Sequence, residues 1–357
     1  MAGYSCFDVS KESKPRGFMR IRHNIITIAL PLLVGILFGC SGEEKVKTLK
    51  LAHVLDASHP VSKGMVHLAE KLEEFSGGRM RMDIYPGGQL GSSEREYIES
   101  LQIGSLDLTK VSTAVLENFV PSIAVFSLPY VFRSDQHRWN VLFGPVGEKM
   151  LLDGEPVWLR GLCFYETGSR NFYLRDKAVY TPDDLQGLKI RVMRSYWSIR
   201  TVNALGGSAT PIAFGELYTA LQQGVVDGAE NNVPTLYQSR HFETCKYYVL
   251  DGHSAPSDVL LISTHTWNRL TEQQRGWLQK AVQASLKYQR GLWDEATTTA
   301  LDAMQAKGVT IIEPDKTPFR EKVRPLYEEL KKDHPDLYGL VEDIMSVPDD
   351  PLYLGTL

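Results

Sequence analysis

From Leu49 onward the chain alternates between two apolar periods. Residues 49–54 (LKLAHV) read as a strand, and Val61, Met65, Leu68, Leu72 and Phe75 then recur at helical spacing behind Pro60. SGGR (76–79) stops that helix. MRMDIY (80–85) places Met80, Met82 and Ile84 on one face as a strand does, and PGGQLG (86–91) reads as a turn. Tyr97, Ile98 and Leu101 predict another helix and LDLTKV (106–111) another strand. This order predicts a mainly parallel sheet covered by helices. It recurs later: a helix start at Thr181-Pro182-Asp183-Asp184, a strand at LKIRVM (188–193), a helix over 215–224 and a strand opening at VVDG (225–228). Thr271 and Gln274 form a capping box, and apolar positions then run through Ala303 to Gly308. Thirty-seven helical residues (271–307) span roughly 55 Å, more than one small lobe. One unbroken helix would cross two lobes; a kink at Gly291 would leave two shorter ones. VTII (309–312) and 317–332 supply a late strand and a late helix. The fold class expected is α/β, two-lobed, with a long helix spanning both lobes. Its cleft is the natural ligand site.

The N-terminus carries an address. Ile25–Phe38 is an apolar run of 14 residues behind Arg20, Arg22 and His23, short for a membrane span and right for a signal-peptide core. It ends in Leu37-Phe38-Gly39-Cys40, which resembles a bacterial lipobox and implies lipidation of Cys40, although Phe38 is bulky for its place. A plain secretory peptide with Cys40 as a bystander is the alternative. Residues 1–18 are either part of the protein or an extension upstream of a start at Met19. The organisation expected is a signal peptide at 1–39, the lipidated cysteine and tether at 40–48, one lobe from 49–168 plus about 257–296, and a second from 169–256 plus about 297–357 with the C-terminal helices.

Composition narrows the function. The chain has 357 residues, 43% hydrophobic and 23% charged, with a formal net charge of −4, so it has a globular core and no electrostatic footprint for nucleic acid. Four cysteines give neither a disulfide scaffold nor a CxxC zinc pattern; Cys163 and Cys245 are free to pair at an oxidising destination, though their spacing does not argue for it. No GxGxxG follows a strand, and GxxxxGK[ST], HExxH and GxSxG are absent. No cofactor and no catalytic set is expected. The informative side chains are arginines. In LKIRV, Leu188, Ile190 and Val192 share one face and Arg191 takes the other, near the strand end where α/β proteins bind ligands. A guanidinium presents two parallel donors to a carboxylate. A structural salt bridge is the competing reading for Arg191, a loop arginine for Arg170, a loop amide for Asn231 and a core ring for Phe214.

Three stretches carry a family resemblance: SGGRMRMDIYPGGQLGSSERE with the following QIGSLDLT, FSLPYVF (126–132), and DLQGLKIRVM with GGSATPIAFGELYTALQQGVVDGAENN. Over some 280 residues the chain resembles the solute-binding subunit of a tripartite ATP-independent periplasmic (TRAP) transporter, of the DctP-like family. The resemblance implies a binding protein, not an enzyme, working with a small and a large membrane subunit outside the cytoplasm. It implies that Arg191 salt-bridges a ligand carboxylate, with Arg170, Asn231 and Phe214 beside it. Ser112 stands near the place where sialic acid binders carry glutamate, which argues against that ligand. Met193-Arg194-Ser195 and the segment after GAENN resemble a subgroup associated with six-carbon sugar acids such as glucuronate or galacturonate. Glu94, His53 and Asn171 are then candidate hydroxyl partners. Other organic acids (a C4-dicarboxylate, sialic acid or an aldonate) and a periplasmic sensory lipoprotein are the alternatives.

Overall fold

The computed structural model describes residues 45–351; the signal-peptide and Cys40 expectations lie outside the described residues. The first sheet opens with β1 (Lys47–Ala52) and, after α1 (Pro60–Ser76), β2 (Met80–Tyr85), a parallel pair. His59 caps α1 by accepting from the Val61 amide, with Pro60 where a missing N–H is harmless. Next come α2 (Glu94–Gln102), β3 (Leu108–Ser112), the short α3 (Thr113–Leu116), α4 (Asp135–Leu142), α5 (Pro145–Leu152) and β4 (Leu159–Tyr165). The chain then crosses to a second sheet through residues 166–169.

There it forms β5 (Arg170–Leu174), β6 (Lys189–Val192), α6 (Tyr196–Ala204), β7 (Ser208–Pro211), α7 (Phe214–Gln222), β8 (Gly228–Asn231), α8 (Val233–Gln238) and β9 (Tyr247–Ser254). Residues 255–257 return it to the first sheet as β10 (Asp258–Ser263), followed by α9 (Thr264–Arg269). The first sheet has the order β2-β1-β3-β10-β4, with β10 antiparallel to both neighbours. The expected parallel start is there; β10 comes from a return crossing that no local pattern announces.

A single helix, α10 (Glu272–Ala306), follows, so Gly291 does not break it. Thirty-five residues make it about 52 Å long. Its N-terminal half packs on α1 and β4, and it also packs on α8 of the second lobe. The Gln289 amide donates to the Glu166 carbonyl (2.9 Å) and accepts from the Glu166 amide (3.0 Å), so α10 grips the first crossing as a neighbouring strand would. The chain ends with β11 (Thr310–Ile312), α11 (Thr317–Asp333) and α12 (Pro335–Ser346). β11 completes the second sheet, β11-β9-β5-β8-β6-β7. α11 packs on α6 and β9, whereas α12 returns to the residues 121–127 of the first lobe.

Three differences from the sequence pattern have plain causes. The Thr181 start yields only a 3-10 turn, Pro182–Leu185, because β6 follows almost at once. The strand expected from Val225 begins at Gly228, since 224–227 form the turn out of α7. Cys163 and Cys245 are both free and buried, one in β4 of the first lobe and one just before β9 in the second.

Candidate functional site

A cavity lies between the lobes at the ends of the strands. The first lobe contributes Val54, Leu55, Glu94, Lys110, Ser112 and Asp258. The second contributes Arg170, Arg191, Met193, Phe214, Asn231 and Thr235, and the two crossings add Thr167 and Pro256. A further cavity of about 240 Å³ shares Glu94 and Met193 with it and leads outward past Phe119 and Arg194. The lobes touch around this opening. His59 Nε2 lies 3.1 Å from Thr235 Oγ1, and Asn118 Nδ2 donates to the Arg194 carbonyl at 2.8 Å. The Tyr196 amide donates to Glu117, and a side-chain carbon at Gly215 would meet the Ser92 carbonyl at 3.2 Å. The arrangement is a closed cleft.

The first-lobe wall is built on a buried triad. Lys110, 3% exposed, stands between Glu94 (2.9 Å) and Asp258 (2.8 Å). Burial opposes its charge, but the two carboxylates hold its pKa above the usual value. Burial raises the Asp258 pKa, and the like charge of Glu94 adds to it against the pull of Lys110. Glu94 sits in the first turn of α2 and also accepts from the Ser112 amide at 3.1 Å. Two carboxylates sharing one lysine keep lone pairs for hydroxyl donors.

The second-lobe wall contains two arginines in contrasting states. Arg170 enters from the first residue of β5. It is ion-paired to Glu230, donates to the Glu230 carbonyl at 2.6 Å and donates to Asn231 Oδ1 at 2.9 Å. Despite burial, Glu230 keeps the Arg170 pKa raised. Burial likewise works against the Glu230 charge, yet Arg170 and His253 bring its pKa down to about 2. Asn231 Oδ1 also receives the Asn232 amide, so its oxygen is fully used and its NH₂ is left for the cavity it lines.

Arg191 is 2% exposed and has no such partner. The alternation of β6 sends Ile190 and Val192 into the core and Arg191 to the other face. Its Nε donates to the Ile212 carbonyl at 2.9 Å, which fixes the guanidinium. Its Nη1 is buried with no hydrogen-bond partner among the described residues. Burial lowers its pKa, Tyr173 and Glu230 oppose that from a distance, and Arg170 adds repulsion. A buried guanidinium without an ion-pair partner, lining a closed cavity, can receive an anion there, because leaving it unpaired is costly.

A profile of the bacterial extracellular solute-binding proteins, family 7, matches residues 51–333. The chain belongs to this family. Family 7 comprises the solute-binding proteins of TRAP transporters: they bind small acids outside the cytoplasm, work with membrane subunits and are not enzymes. An uncharacterised Salmonella typhimurium protein, YiiZ, is 38% identical over 335 residues, covering 93% of this chain and 99% of that one. Three solved TRAP periplasmic solute-binding proteins superpose well. One from Bradyrhizobium sp. BTAi1 in complex with α/β-D-galacturonate is 38% identical at a TM-score of 0.80, covering 84% of this chain and 99% of that one. One from Pseudomonas putida F1 with bound D-glucuronate is 35% identical at 0.81, covering 86% and 99%. One from Polaromonas sp. JS666 bound to D-erythronate is 30% identical at 0.81, covering 84% and 99%.

In this family-7 chain the cleft brings together Arg191, Arg170, Asn231, Phe214 and Glu94 of the residues singled out from sequence. Two others fall elsewhere. Asn171 follows Arg170 in β5 and so takes the opposite face; its amide is consumed by Ser169, Tyr248 and Gly252. His53 is fully buried behind the triad, Nε2 3.4 Å from Ser62 Oγ, and burial together with Lys110 lowers its pKa to about 3. It is a neutral ring in the wall and does not line the cavity. Lys110, Asp258 and Glu230 were not singled out from sequence. The signal available was a charged residue inside or beside each apolar strand; the partners that make the charges meaningful lie 16 to 148 residues away and follow only from strand pairing. Among the described residues no group of acidic, histidine or cysteine side chains could hold a metal ion, and no helix is long and apolar enough to cross a membrane.

Proposed function

We propose that this TRAP solute-binding protein captures a six-carbon sugar acid, D-glucuronate or D-galacturonate, and that Arg191 clamps its carboxylate. The unpartnered Arg191 guanidinium in the closed cleft carries this reading. A carboxylate leaving water needs a charged partner, and Arg191 needs an anion, so each offsets the other's desolvation. Arg170, held by Glu230, and the Asn231 amide orient that end of the ligand. The Phe214 ring forms an apolar wall. Glu94 and Asp258, spaced around Lys110, accept hydrogen bonds from the sugar hydroxyls. A cationic second-lobe wall facing an acceptor-rich first-lobe wall suits a polyhydroxy acid better than a simple dicarboxylate. The galacturonate and glucuronate bound to the two similar proteins support the choice. A second reading, a shorter aldonate, is supported by the erythronate complex, whose superposition is equally good.

Isothermal titration of the mature chain with D-glucuronate, D-galacturonate, D-erythronate, a C4-dicarboxylate and sialic acid tests the assignment. Either uronate binding most tightly is the expected result; neither uronate binding, or a C4-dicarboxylate binding better, would overturn it. We further infer lobe limits of 49–168 plus about 257–296 and 169–256 plus about 297–357, with α12 and the residues after it, at the end of the latter stretch, packed back on the first lobe. Membrane attachment through lipidated Cys40 is also proposed; Cys40→Ala should move the protein from the membrane fraction to the soluble periplasm.

A further inference from the structure

Another cavity, of about 220 Å³, lies where the two strand crossings meet the start of α11. It shares no residue with the ligand cleft: the cleft takes Thr167, Arg170 and Pro256 from this region, whereas this cavity takes Ser169, Gly252, Ser254 and Ala255. First-lobe residues 130–135 and Arg138 close one side, and Lys316 and Arg320 close the other. Its walls therefore come from both lobes and from the hinge between them.

The charges here are unevenly spent. Arg133 is engaged by Asp349 (3.1 Å) and by the carbonyls of Met345 and Val347. Arg138 is engaged by Glu166 (2.6 Å) and Asp135 (3.1 Å). Lys316 and Arg320 have no carboxylate partner among the described residues; Arg320 lies over the Tyr130 ring, 5.2 Å from its centroid. Asp135 is the only acidic lining residue, and it is largely exposed and turned to Arg138. Two residues of left-handed backbone, Gly252 and Tyr130, border these cations. Gly252 has φ +60°, and a side-chain carbon there would meet Lys316 Nζ at 3.2 Å. Tyr130 holds the left-handed conformation at φ +56°, uncommon for an aromatic residue, and is kept there by its amide donating to the His253 carbonyl (2.9 Å) and its hydroxyl donating to the Asp251 carbonyl (3.2 Å).

We propose that this cavity is a second binding site, for a small oxyanion of the phosphate or sulfate type, and that its occupancy favours the closed cleft. Lys316 and Arg320 supply the charge, and the Ser169 and Ser254 hydroxyls line the same space. An anion held between α11 and residues 130–138 ties the lobes together at the hinge, so it binds the closed arrangement better than one in which those walls have moved apart. Linkage then requires that cleft ligand and oxyanion raise each other's affinity equally. The site itself does not depend on which acid the cleft takes; the coupling is read with D-glucuronate and so rests on the uronate reading.

The test uses the mature chain with inorganic phosphate or sulfate as the probe, against chloride at matched ionic strength, with melting temperature and calorimetry as readouts. Phosphate or sulfate should raise the melting temperature, and Lys316→Ala/Arg320→Ala should abolish that rise. Arg191→Ala should keep the rise while losing uronate binding, which separates this site from phosphate lodging in the cleft. Saturating phosphate should tighten uronate binding about fivefold or more, the scale of ordinary coupling between sites. No rise in the unmodified protein, an equal rise in the double variant, or loss of the rise in Arg191→Ala would overturn the site. Phosphate binding that leaves uronate affinity unchanged would overturn the coupling. Lys316 and Arg320 are exposed, so the double variant should fold; Lys316→Gln alone, with a partial loss, serves as the check.

Discussion

The two walls of the cleft each carry buried positive charge, and they treat it in opposite ways. In the first lobe Lys110 is bracketed by Glu94 and Asp258, so the cation is compensated before any ligand arrives. In the second, Arg170 is compensated by Glu230, but Arg191, two strands over across β8, has only the Ile212 carbonyl among the described residues. Compensated charge holds a wall in shape; uncompensated charge is stored affinity. The difference separates residues whose loss should harm folding from those whose loss should harm binding.

The largest effect expected on this contrast is structural. Lys110→Met leaves two carboxylates buried side by side without a cation, and should cost about 3–5 kcal/mol of stability, as when one partner of a buried ion pair is removed. Urea denaturation of the ligand-free protein measures it. A loss below about 1 kcal/mol would mean that the triad is better hydrated than its burial indicates.

Arg191→Ala should do the reverse. Removing an uncompensated cation should leave the stability of the ligand-free protein unchanged or slightly increased, while ligand affinity falls by about 2–5 kcal/mol. At about 1.4 kcal/mol per decade that is roughly 30- to several-thousand-fold. Arg191→Lys should also bind weakly, since the ammonium keeps the charge but loses the planar fork. Equal losses of stability and affinity in Arg191→Ala would collapse the distinction between the walls.

How much of this was legible in the chain follows from the range of each interaction. The first helix, Pro60–Ser76, and the capping box at Thr271 are local patterns, and both stand where the spacing puts them. The orientation of Arg191 is also local, since the period of two in KIRV separates it from Ile190 and Val192. Its lack of a partner is not local. It depends on Glu230 lying beside Arg170 and away from Arg191, a consequence of how β5, β6 and β8 line up. Asn171 shows the same limit from the other side. Next to Arg170 it looked equally available, but β9 claims its amide through Gly252 and Tyr248.

A smaller effect should come from the closing contact itself. At Gly215, the added methyl of alanine would press on the Ser92 carbonyl at 3.2 Å only when the lobes are together. Gly215→Ala should therefore weaken ligand binding by a few-fold, roughly 1 kcal/mol, without lowering the melting temperature of the ligand-free protein. A destabilised ligand-free protein would show that Ser92 and Gly215 stay in contact whether or not the cleft is occupied.

The smallest effect concerns protons at the same seam. Glu117, at the end of α3, accepts from the first amide of α6 across the lobes. Burial raises its pKa from 4.5 to about 7, against hydrogen bonds from Ser195 and the Tyr196 amide that favour the carboxylate. The native state then holds this proton more tightly than the unfolded chain does. The stabilisation is complete below pH 4.5, shrinks as pH rises through the interval, and is gone above about 7. His53 and His241, whose pKa values burial lowers to about 3, act in the opposite sense, since they favour the native state most when neutral. The Glu117 contribution is therefore best read as a difference. Between pH 5 and 7 the stability of the unmodified protein should fall relative to Glu117→Gln, and above pH 7 the two curves should run parallel. Parallel curves across the whole range would place the Glu117 carboxylate in water and leave Asn118 and His59 as the contacts that hold the lobes together there.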